Sequence, residues 1–499
     1  METMRRFHAI HFGCRANQAD GAAVEEELSQ RGLQAVADSA EADVVVLNSC
    51  TVTAAADYEL RQTVRRIRRE NPQAHILVTG CYAQRRPEDL AALPGVRWIV
   101  GNAHKTEIGR LLSEPHSPAR DAGPWVPLEK LLAPASQPSE MEFHTLGSPL
   151  PSSGPLPADP APQILVGDIS AVREFLTAPV VGKTTGDRTR PNLKIQEGCN
   201  NRCSFCIIPS VRGRSRSLPV PEVLHRVRAL CRGGYREVVF SGINLGRYGR
   251  DLPQRIRFAE LVRLILEETP LERLRLSSVE PMDFTDELLA RMAASPRIAK
   301  HVHAPLQSGS DRILRRMHRK YHPWNYRDRI LAAYQRMPNA AFGADVMVGF
   351  PGETDEDFEE TRRLIASLPF TYLHVFPFSR RPGTPADAMK EQVHGAVVRE
   401  RSRILRELAA QKNRRFRERQ VGQILRVLTL EEEAEGGAWA LSDNYLKVFI
   451  PGERLPGNRL RNVRMVSLSE GRLVGECVAE GFSQSRDELS PSITTCARA

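Results

Sequence analysis

In the first 112 residues, short apolar runs alternate with stretches in which apolar and charged residues recur at helical spacing. The apolar runs have the length and the Val, Ile and Leu content of buried strands, and they cover 7–12, 43–47 and 75–78. Buried strands separated by amphipathic helices are typical of a parallel sheet with helices on its faces. The pattern therefore predicts a parallel α/β domain over residues 1–112.

The same alternation recurs over residues 186–415. Six apolar runs, each followed by turn residues and most of them by an amphipathic helix, are Asn192–Gln196, Arg236–Ser241, Arg273–Ser278, His301–Leu306, Gly343–Val348 and Tyr372–Pro377. Repeated strand–loop–helix units predict a parallel barrel or partial (β/α)6 barrel, in which the loops after the strands carry the chemistry. Two histidines inside the fourth run, His301 and His303, are expected to pack in the core or at the rim.

Residues 416–480 show a different pattern, in which five short strand-like runs are separated by turn residues. This is typical of a small antiparallel barrel of the OB type. The aromatic and basic groups that stand close together in this region are Trp439, Tyr445, Lys447 and Phe449. Such a mixture is found on nucleic-acid-binding surfaces, although an interior aromatic core is an equal alternative. A flexible tail is expected over 481–499.

Residues 113–185 separate the first two regions. Twelve prolines lie between Ser113 and Pro162, together with Ser and Gly and with little periodicity. This composition offers too little apolar surface for a core, so we expect a flexible or partly extended insert, or linker, without chemistry of its own.

The overall composition is that of an ordinary soluble globular protein, since 41% of the 499 residues are hydrophobic and 26% are charged. The net charge of +10 favours a polyanionic partner, but only slightly. Nine cysteines are too few for a disulfide scaffold, and their clustering indicates a reducing compartment. Because the sequence shows no signal-like opening and no apolar run of about 18 residues, we expect a cytoplasmic protein without membrane contact.

The most specific chemical signal is a loop with three cysteines at the spacing C-x3-C-x2-C, namely Cys199, Cys203 and Cys206. Thiolates at such short spacing suit zinc or iron–sulfur chemistry. Because the loop offers three ligands and no histidine, a cubane cluster bound here would keep one iron open for a substrate or cofactor. A zinc site that lacks one ligand, or thiols without any metal, are the alternatives.

Each predicted strand of the N-terminal domain is followed closely by a cysteine, and these cysteines are Cys14, Cys50 and Cys81. Ligands of open α/β sheets gather beyond the carboxyl ends of the strands, so we expect the three thiols to meet at one edge. The residues before them, Gly13, Ser49 and Gly80, are small and would leave room for a bulky ligand. Because a cysteine follows each of the three strand ends, the sequence predicts a second metal cluster with three protein ligands. The alternative is that these are buried cysteines that act as small hydrophobes.

The loops after the later strands of the central barrel hold small and polar residues. Glycine lets a backbone approach a cofactor closely, and hydroxyl and carboxylate groups could hold a ribose or an ammonium group. Taken singly such loops are ordinary turns, but their shared position at one rim favours a cofactor site. The residues expected to bind the cofactor there are Gly242, Asn244, Ser278, Glu280 and Gln307.

Two groups of basic residues flank the barrel. Arg212, Arg214 and Arg216 follow the cysteine loop at alternate positions, and 399–419 carries nine basic against three acidic residues on a helical pattern. A charged run is usually a solvated face. Beside the expected active site, contact with phosphate groups is an equal alternative.

The cysteine loop, with the aromatic Phe205 before its third cysteine, resembles the motif of radical S-adenosylmethionine (SAM) enzymes. With three cysteines upstream and a small barrel downstream, nearly the whole chain resembles the radical-SAM methylthiotransferases, apart from the insert and the tail. The resemblance implies a [4Fe–4S] cluster on Cys199, Cys203 and Cys206 that binds SAM beside Phe205 and the rim residues. It implies a second, auxiliary [4Fe–4S] cluster, which provides or carries sulfur, on Cys14, Cys50 and Cys81. The C-terminal barrel would be an RNA-binding TRAM domain, and no catalytic residue beyond the cluster ligands is implied.

Three stretches, 13–18, 198–209 and 374–379, are most similar to the threonylcarbamoyladenosine branch of this family. That branch converts N6-threonylcarbamoyladenosine beside the tRNA anticodon to its 2-methylthio form. Because the C2–H bond of adenine is not acidic, the resemblance implies activation by a 5′-deoxyadenosyl radical from one SAM, while another SAM donates the methyl group. The base would be presented unstacked from the anticodon loop. A monomer served by an electron donor such as flavodoxin or ferredoxin is expected.

Alternatives remain at this point. Neighbouring branches act on isopentenyladenosine in tRNA or on an aspartate of a ribosomal protein. The basic and aromatic residues of the C-terminal barrel argue mildly against a protein substrate. A metal-bound RNA-binding protein without enzymatic activity is a more distant alternative.

Overall fold

The computed structural model describes residues 4–113, 161–176, 189–432, 434–452, 455–469 and 471–478. The chain divides between Phe416 and Arg417 into two compact units. Most of the proline-rich segment and all of the expected tail lie outside the described residues.

The first unit opens with a six-stranded sheet in the order β2-β1-β3-β4-β5-β6, in which all neighbouring strands are parallel. Its strands are β1 Arg6–His11, β2 Gln34–Ala35, β3 Val44–Ser49, β4 His75–Gly80, β5 Val96–Gly101 and β6 Gln163–Leu165. The helices around it are α1 Arg15–Gln30, α2 Ala54–Glu70, α3 Cys81–Arg85, α4 Pro87–Ala91 and α5 Ile108–Ser113, with 3-10 helices at Ser39–Glu41 and Asn102–Glu107.

Both faces of this sheet are buried, as the continuous apolar runs predict. Val45 and Leu47 of β3 belong to one apolar cluster, whereas Val44 and Val46 belong to another on the opposite face. The three predicted strands are therefore confirmed.

The sequence pattern did not predict β2, β5 or β6. β6 lies inside the segment 113–185, for which a flexible or partly extended insert was expected; it pairs with β5 and buries Ile164 and Leu165. A strand of three residues is too short to produce a recognisable hydrophobic period.

The second part of the first unit is the predicted partial (β/α)6 barrel. Its strands form two sheets, β10-β9-β7-β8 and β11-β12-β13, and a parallel bridge from Leu274 to Ile298 lies between them. The strands are β7 Asn192–Glu197, β8 Arg216–Ser217, β9 Glu237–Gly242, β10 Arg273–Leu276, β11 His301–His303, β12 Ala341–Val348 and β13 Tyr372–Pro377. All six predicted runs contain a strand, and the short antiparallel β8 was not anticipated.

Helices cover the outside of this barrel. They are α6 Ile208–Arg212, α7 Val220–Arg232, α8 Phe258–Glu268, α9 Asp286–Ala294, α10 Asp311–Arg316, α11 Pro323–Arg336, α12 Asp355–Ser367 and α13 Gly395–Glu418, with 3-10 helices at Leu245–Arg247, Pro281–Asp283 and Pro385–Ala388. The start of α12 shows how local sequence sets an element: Thr354 accepts a hydrogen bond from the Asp357 N–H, and Asp357 accepts one from the Thr354 N–H.

Alternate strand residues face the helices and form the barrel core, which includes Leu193, Ile195, Val302, Ala344 and Val346. The residues between them point to the opposite side, which we call the inner face of the barrel. Polar residues of the inner face are Lys194, Gln196, His301, His303, Asp345, Tyr372 and His374.

The second unit is a closed antiparallel barrel with one parallel pair, in the order β14-β15-β16-β18-β17. Its strands are β14 Ile424–Thr429, β15 Gly437–Ser442, β16 Lys447–Pro451, β17 Leu460–Ser469 and β18 Arg472–Cys477. This confirms the expected small barrel. Within the described residues of both units, the helices fall short of the length and apolar content needed to cross a bilayer.

Candidate metal centres

Cys14, Cys50 and Cys81 lie together at the carboxyl edge of the six-stranded sheet. Cys14 precedes α1, Cys50 follows β3, and Cys81 opens α3 directly after β4. Burial and the charges of Cys81 and Cys14 together raise the pKa of the Cys50 thiol to about 12, although Arg212 lowers it. Such a thiol ionises only when a bound cation supplies the driving force, so the trio suits a metal centre.

Two of the small residues before these cysteines are needed for the packing of the strand ends, and the room they would leave for a ligand stays a prediction. Gly13 has a φ of +87°, and a Cβ atom there would lie 2.7 Å from the Cys50 Sγ. Gly80 has a φ of +99°, and its Cβ would lie 2.4 Å from the carbonyl oxygen of Ser49. These glycines are thus required by the close packing of neighbouring strand ends, whether or not a ligand is bound.

Cys199, Cys203 and Cys206 lie in the loop after β7. The Cys199 sulfur accepts hydrogen bonds from the Asn201 N–H, at 3.4 Å, and from the Asn244 amide, at 3.5 Å. The guanidinium of Arg319 donates to the Cys203 sulfur at 3.3 Å. Burial raises the pKa of Cys206 to about 12. Donors aimed at sulfur stabilise thiolates, which are the form that binds metal.

Of the rim residues predicted to bind a cofactor, Asn244 contacts this loop directly and Glu280 contacts it through Arg319. Glu280 pairs with Arg319, and Phe205 packs edge-on against Phe350 with ring centroids 6.5 Å apart. Ser278 is half-buried two residues before Glu280. Gly242 ends β9, where a Cβ atom would lie 2.9 Å from Gln196.

Three buried polar atoms at this rim have no hydrogen-bond partner in the described part of the chain. They are the Ser241 Oγ, the Asn244 Oδ1 and the Gln307 Oε1. A buried polar atom left unpaired costs about 1–3 kcal/mol, so each of them is a candidate to pair with a polar ligand. The residues therefore fit a cofactor such as SAM beside a cluster held by the three thiols.

The spacing of the thiols disfavours a single zinc ion. With Zn–S bonds of about 2.3 Å, tetrahedral zinc holds its sulfur ligands roughly 3.8 Å apart. In the described ranges, the one group of three donors within 4.8 Å of one another is His303, Asp345 and His374, so neither cysteine trio meets this limit. The wider spacing suits a larger, multi-iron cluster.

A buried cluster of charged residues joins the two cysteine loops. Asp20 of α1 contacts Lys105, at 3.0 Å, Lys194, and Arg212, at 3.2 Å. Glu197, two residues before Cys199, contacts Lys194 at 2.6 Å and Arg212 at 2.8 Å. Burial alone would raise the pKa of Glu197, but Arg212 and Lys194 lower it to about 2.

This charged cluster corrects one expectation for the arginines after the cysteine loop. Arg212 and Arg216 are buried, and Arg216 donates to the backbone carbonyls of Val172 and Glu174. Neither is available to a phosphate group, whereas Arg214 is exposed.

Two further residues near the thiols escaped prediction. The Asn102 amide donates to the Cys81 sulfur at 3.6 Å and to the carbonyl of Val211 at 2.8 Å, so it links the two loops. Asn102 follows the end of β5, and because that strand was not predicted, the strand-end rule that identified the cysteines did not reach it. No local pattern marks Arg319.

The barrel of the second unit carries an aromatic and basic patch. The rings of Trp439 and Phe449 meet edge to face at 5.3 Å, and the Lys447 ammonium lies 4.3 Å from the centre of the Trp439 ring. Both rings are half-buried, whereas neighbours such as Ala440 and Val448 fill the interior. The interior-core alternative is therefore wrong for these two rings, which lie partly exposed on the outside of the barrel.

Known protein families match both parts of the first unit. Residues 193–365 match the radical SAM superfamily, and residues 6–101 match the uncharacterized protein family UPF0004.

Curated relatives match almost the entire chain. Threonylcarbamoyladenosine tRNA methylthiotransferase MtaB of Aquifex aeolicus is 35% identical, over 90% of this chain and 97% of its own length. A tRNA-2-methylthio-N(6)-dimethylallyladenosine synthase of Acidothermus cellulolyticus is 33% identical, over 95% of this chain and 86% of its own length.

Among solved structures, the radical S-adenosylmethionine methyltransferase TsrM of Kitasatospora setae, with cobalamin and a [4Fe-4S] cluster bound, is similar in fold. It aligns with a TM-score of 0.52 and 15% identity, over 78% of this chain and 77% of its own. At this identity the likeness concerns the fold alone.

Proposed function

The chain belongs to the radical-SAM tRNA methylthiotransferase family, and we propose that it methylthiolates C2 of N6-threonylcarbamoyladenosine beside the anticodon of tRNA. The resemblance drawn from the six cysteines is thereby confirmed. The observation that carries the proposal is the presence of two separate cysteine trios whose loops share one buried charged cluster.

We assign one [4Fe–4S] cluster to Cys14, Cys50 and Cys81 and the other to Cys199, Cys203 and Cys206. Two [4Fe–4S] clusters and SAM are the cofactors of this family. When bound, they supply the radical that removes hydrogen from C2, the sulfur, and the methyl group placed on that sulfur. We assign the SAM site to Phe205, Gly242, Asn244, Ser278, Glu280 and Gln307.

The chain's own residues orient and shield these groups. Asn244 and Arg319 donate to sulfurs of the SAM-binding loop, which stabilises negative charge there. The unpaired oxygens of Asn244 and Gln307 are acceptors for hydroxyl or ammonium groups of SAM. The charged cluster around Asp20 and Arg212 fixes the position of one cysteine loop against the other.

The substrate assignment rests on the relatives and on the C-terminal barrel. The patch formed by Trp439, Phe449 and Lys447 suits stacking with RNA bases and contact with phosphate, so we assign it to tRNA. A tRNA substrate favours a cytoplasmic protein. We also propose a monomer that receives electrons from flavodoxin or ferredoxin.

Nucleoside mass spectrometry of tRNA from cells with and without this gene tests the proposal. We expect 2-methylthio-N6-threonylcarbamoyladenosine to disappear and its unmethylthiolated precursor to accumulate. Loss of the 2-methylthio-isopentenyl nucleoside instead would assign the chain to the activity named for the Acidothermus relative. Measuring iron and acid-labile sulfide in anaerobically purified protein distinguishes either methylthiotransferase activity from a zinc-bound protein without enzymatic activity.

A further inference from the structure

Five polar side chains form a hydrogen-bonded row across the inner face of the barrel. The Tyr372 hydroxyl contacts the His301 Nε2 at 2.6 Å and the His303 Nδ1 at 2.8 Å. The carboxylate of Asp345 contacts the His303 Nε2 at 3.2 Å and the His374 Nδ1 at 3.1 Å. We call these five residues the polar row. His301 and His303 are buried, as expected for packing in the core or at the rim, but the sequence did not predict these hydrogen-bond partners.

Strand register builds the row. β11 and β12 place His303 opposite Gly343, and β12 and β13 place Gly343 opposite Tyr372 and Asp345 opposite His374. Gly343 has no side chain, and a Cβ atom there would lie 2.0 Å from the Tyr372 ring. This glycine therefore makes the space in which Tyr372 reaches both histidines.

The Asp345 carboxylate fixes the direction of every hydrogen bond in the row. An ionised carboxylate only accepts, so both the His303 Nε2 and the His374 Nδ1 must carry hydrogen. With His303 neutral, its Nδ1 then accepts from the Tyr372 hydroxyl, whose oxygen accepts from the His301 Nε2. Burial would raise the pKa of Asp345, but the hydrogen bonds from the two histidines hold it well below its usual range.

The row ends at an open position near the cofactor rim. The His374 side chain is 63% exposed, and its remaining ring nitrogen, Nε2, has no contact among the described residues. The Gln307 N–H donates to the Asp345 carbonyl at 2.8 Å, which connects the row to the rim. At the other side of the inner face, Lys194 is covered by Asp20 of α1. The uncovered part thus lies beside His374.

We propose that His374, held by Asp345, is a specificity-determining contact for the polar N6 substituent of the target adenosine, an inference that rests on the proposed function. A threonylcarbamoyl group offers a carboxylate, a hydroxyl and a urea. With hydrogen on its Nδ1, His374 can accept at Nε2 from the hydroxyl or from a urea N–H, and a protonated ring can donate from Nε2 to the carboxylate. An isopentenyl group offers none. A site built for hydrogen bonds rejects a substituent that leaves its polar groups unpaired.

Binding of synthetic anticodon stem-loops to the cluster-loaded protein tests this contact. The stem-loops carry threonylcarbamoyladenosine, isopentenyladenosine or plain adenosine, and the proteins are wild type, His374→Phe and Asp345→Asn. His225→Phe, a substitution on the exposed face of α7, is the matched control. We expect wild type and control to prefer the threonylcarbamoyl stem-loop, and both row variants to lose roughly tenfold or more of that preference while plain stem-loop binding is unchanged.

Turnover separates a specificity role from a structural one. In His374→Phe we expect the KM for threonylcarbamoyl tRNA to rise, with kcat and substrate-free formation of 5′-deoxyadenosine unchanged. If wild type methylthiolates this nucleoside and His374→Phe keeps the full preference, this inference alone is wrong. If wild type does not methylthiolate it, the proposed function fails as well. Metal analysis gives a further outcome. If the wild-type protein binds one equivalent of a divalent metal other than iron, and His374→Phe does not bind it, then the polar row is a metal site and the inference is wrong.

Discussion

The guanidinium of Arg212 donates to both carboxylate oxygens of Glu197, at 2.9 and 2.8 Å, and both side chains are buried. The same guanidinium donates to Asn17 at 3.0 Å, and the amide of Asn17 holds the carbonyls of Asn48 and Ser49, just before Cys50. One side chain thus connects the strand end before Cys50 with the strand end before Cys199.

Replacing Arg212 by Met removes one of the two cations that the buried Glu197 and Asp20 carboxylates share and leaves Lys194 as the other. Breaking a buried ion pair in this way costs about 3–5 kcal/mol. We expect Arg212→Met to melt at a clearly lower temperature and to retain less iron after reconstitution. Arg403→Met, which removes an exposed pair on α13, is the control and should melt like the wild type. Equal melting temperatures for Arg212→Met and wild type would contradict the structural role of Arg212.

Glu237, buried beneath the barrel, predicts a loss of stability in acid. Burial alone would raise its pKa, but Arg275 and Arg273 lower it from 4.5 to about 2. Because the pKa of Glu237 is lower in the folded protein than in the unfolded chain, its ionised form stabilises the fold by about 3 kcal/mol at pH values above 4.5. This stabilisation is lost as the pH falls from 4.5 towards 2. At neutral pH we expect Glu237→Gln to unfold at a lower urea concentration than wild type. The difference between the two midpoint concentrations should shrink as the pH falls from 4.5 towards 2. A difference independent of pH would rule out this titration.

Arg319 should tune the cluster on the SAM-binding loop. Its guanidinium donates to the Cys203 sulfur and pairs with Glu280. Hydrogen bonds to cluster sulfurs favour the reduced, more negative state, so Arg319→Met should lower the reduction potential. A redox titration followed by electron paramagnetic resonance measures this. Arg329→Met, which removes a half-buried arginine of α11 that pairs with Asp286, should leave the potential unchanged. An unchanged potential in both variants would refute the role of Arg319.

Features that depend on local pattern were predictable. Continuous apolar runs identified the strands of both parallel regions, and strand ends identified Cys14, Cys50 and Cys81 because ligands gather at that edge. The C-x3-C-x2-C spacing is local and identified the other trio.

Features that depend on distant pairing were not predictable. Asp20, Lys105 and Lys194 look like ordinary surface charges in the sequence, and their burial becomes evident only when α1 packs against β7. The polar row escaped for the same reason, since strand register alone brings Asp345 beside His374.

Removing one ligand of the central trio should abolish the first chemical step. Cys199→Ala, Cys203→Ala and Cys206→Ala each deprive the proposed SAM cluster of a thiolate, so reductive cleavage of SAM should stop. Chromatography of 5′-deoxyadenosine from dithionite-reduced protein measures this. Formation at the wild-type rate in any of these variants would show that the assignment of this trio is wrong.

The most direct test of the two-cluster account is an anaerobic assay of Cys50→Ala, in which 5′-deoxyadenosine and methylthiolated tRNA nucleoside are measured in the same sample. Cys231→Ala, which changes a half-buried cysteine of α7 outside both trios, is the matched control and should form both products. Because Cys50 belongs to the trio assigned to sulfur, we predict that Cys50→Ala forms 5′-deoxyadenosine without any methylthiolated nucleoside. Methylthiolation by Cys50→Ala at the control rate would contradict the account.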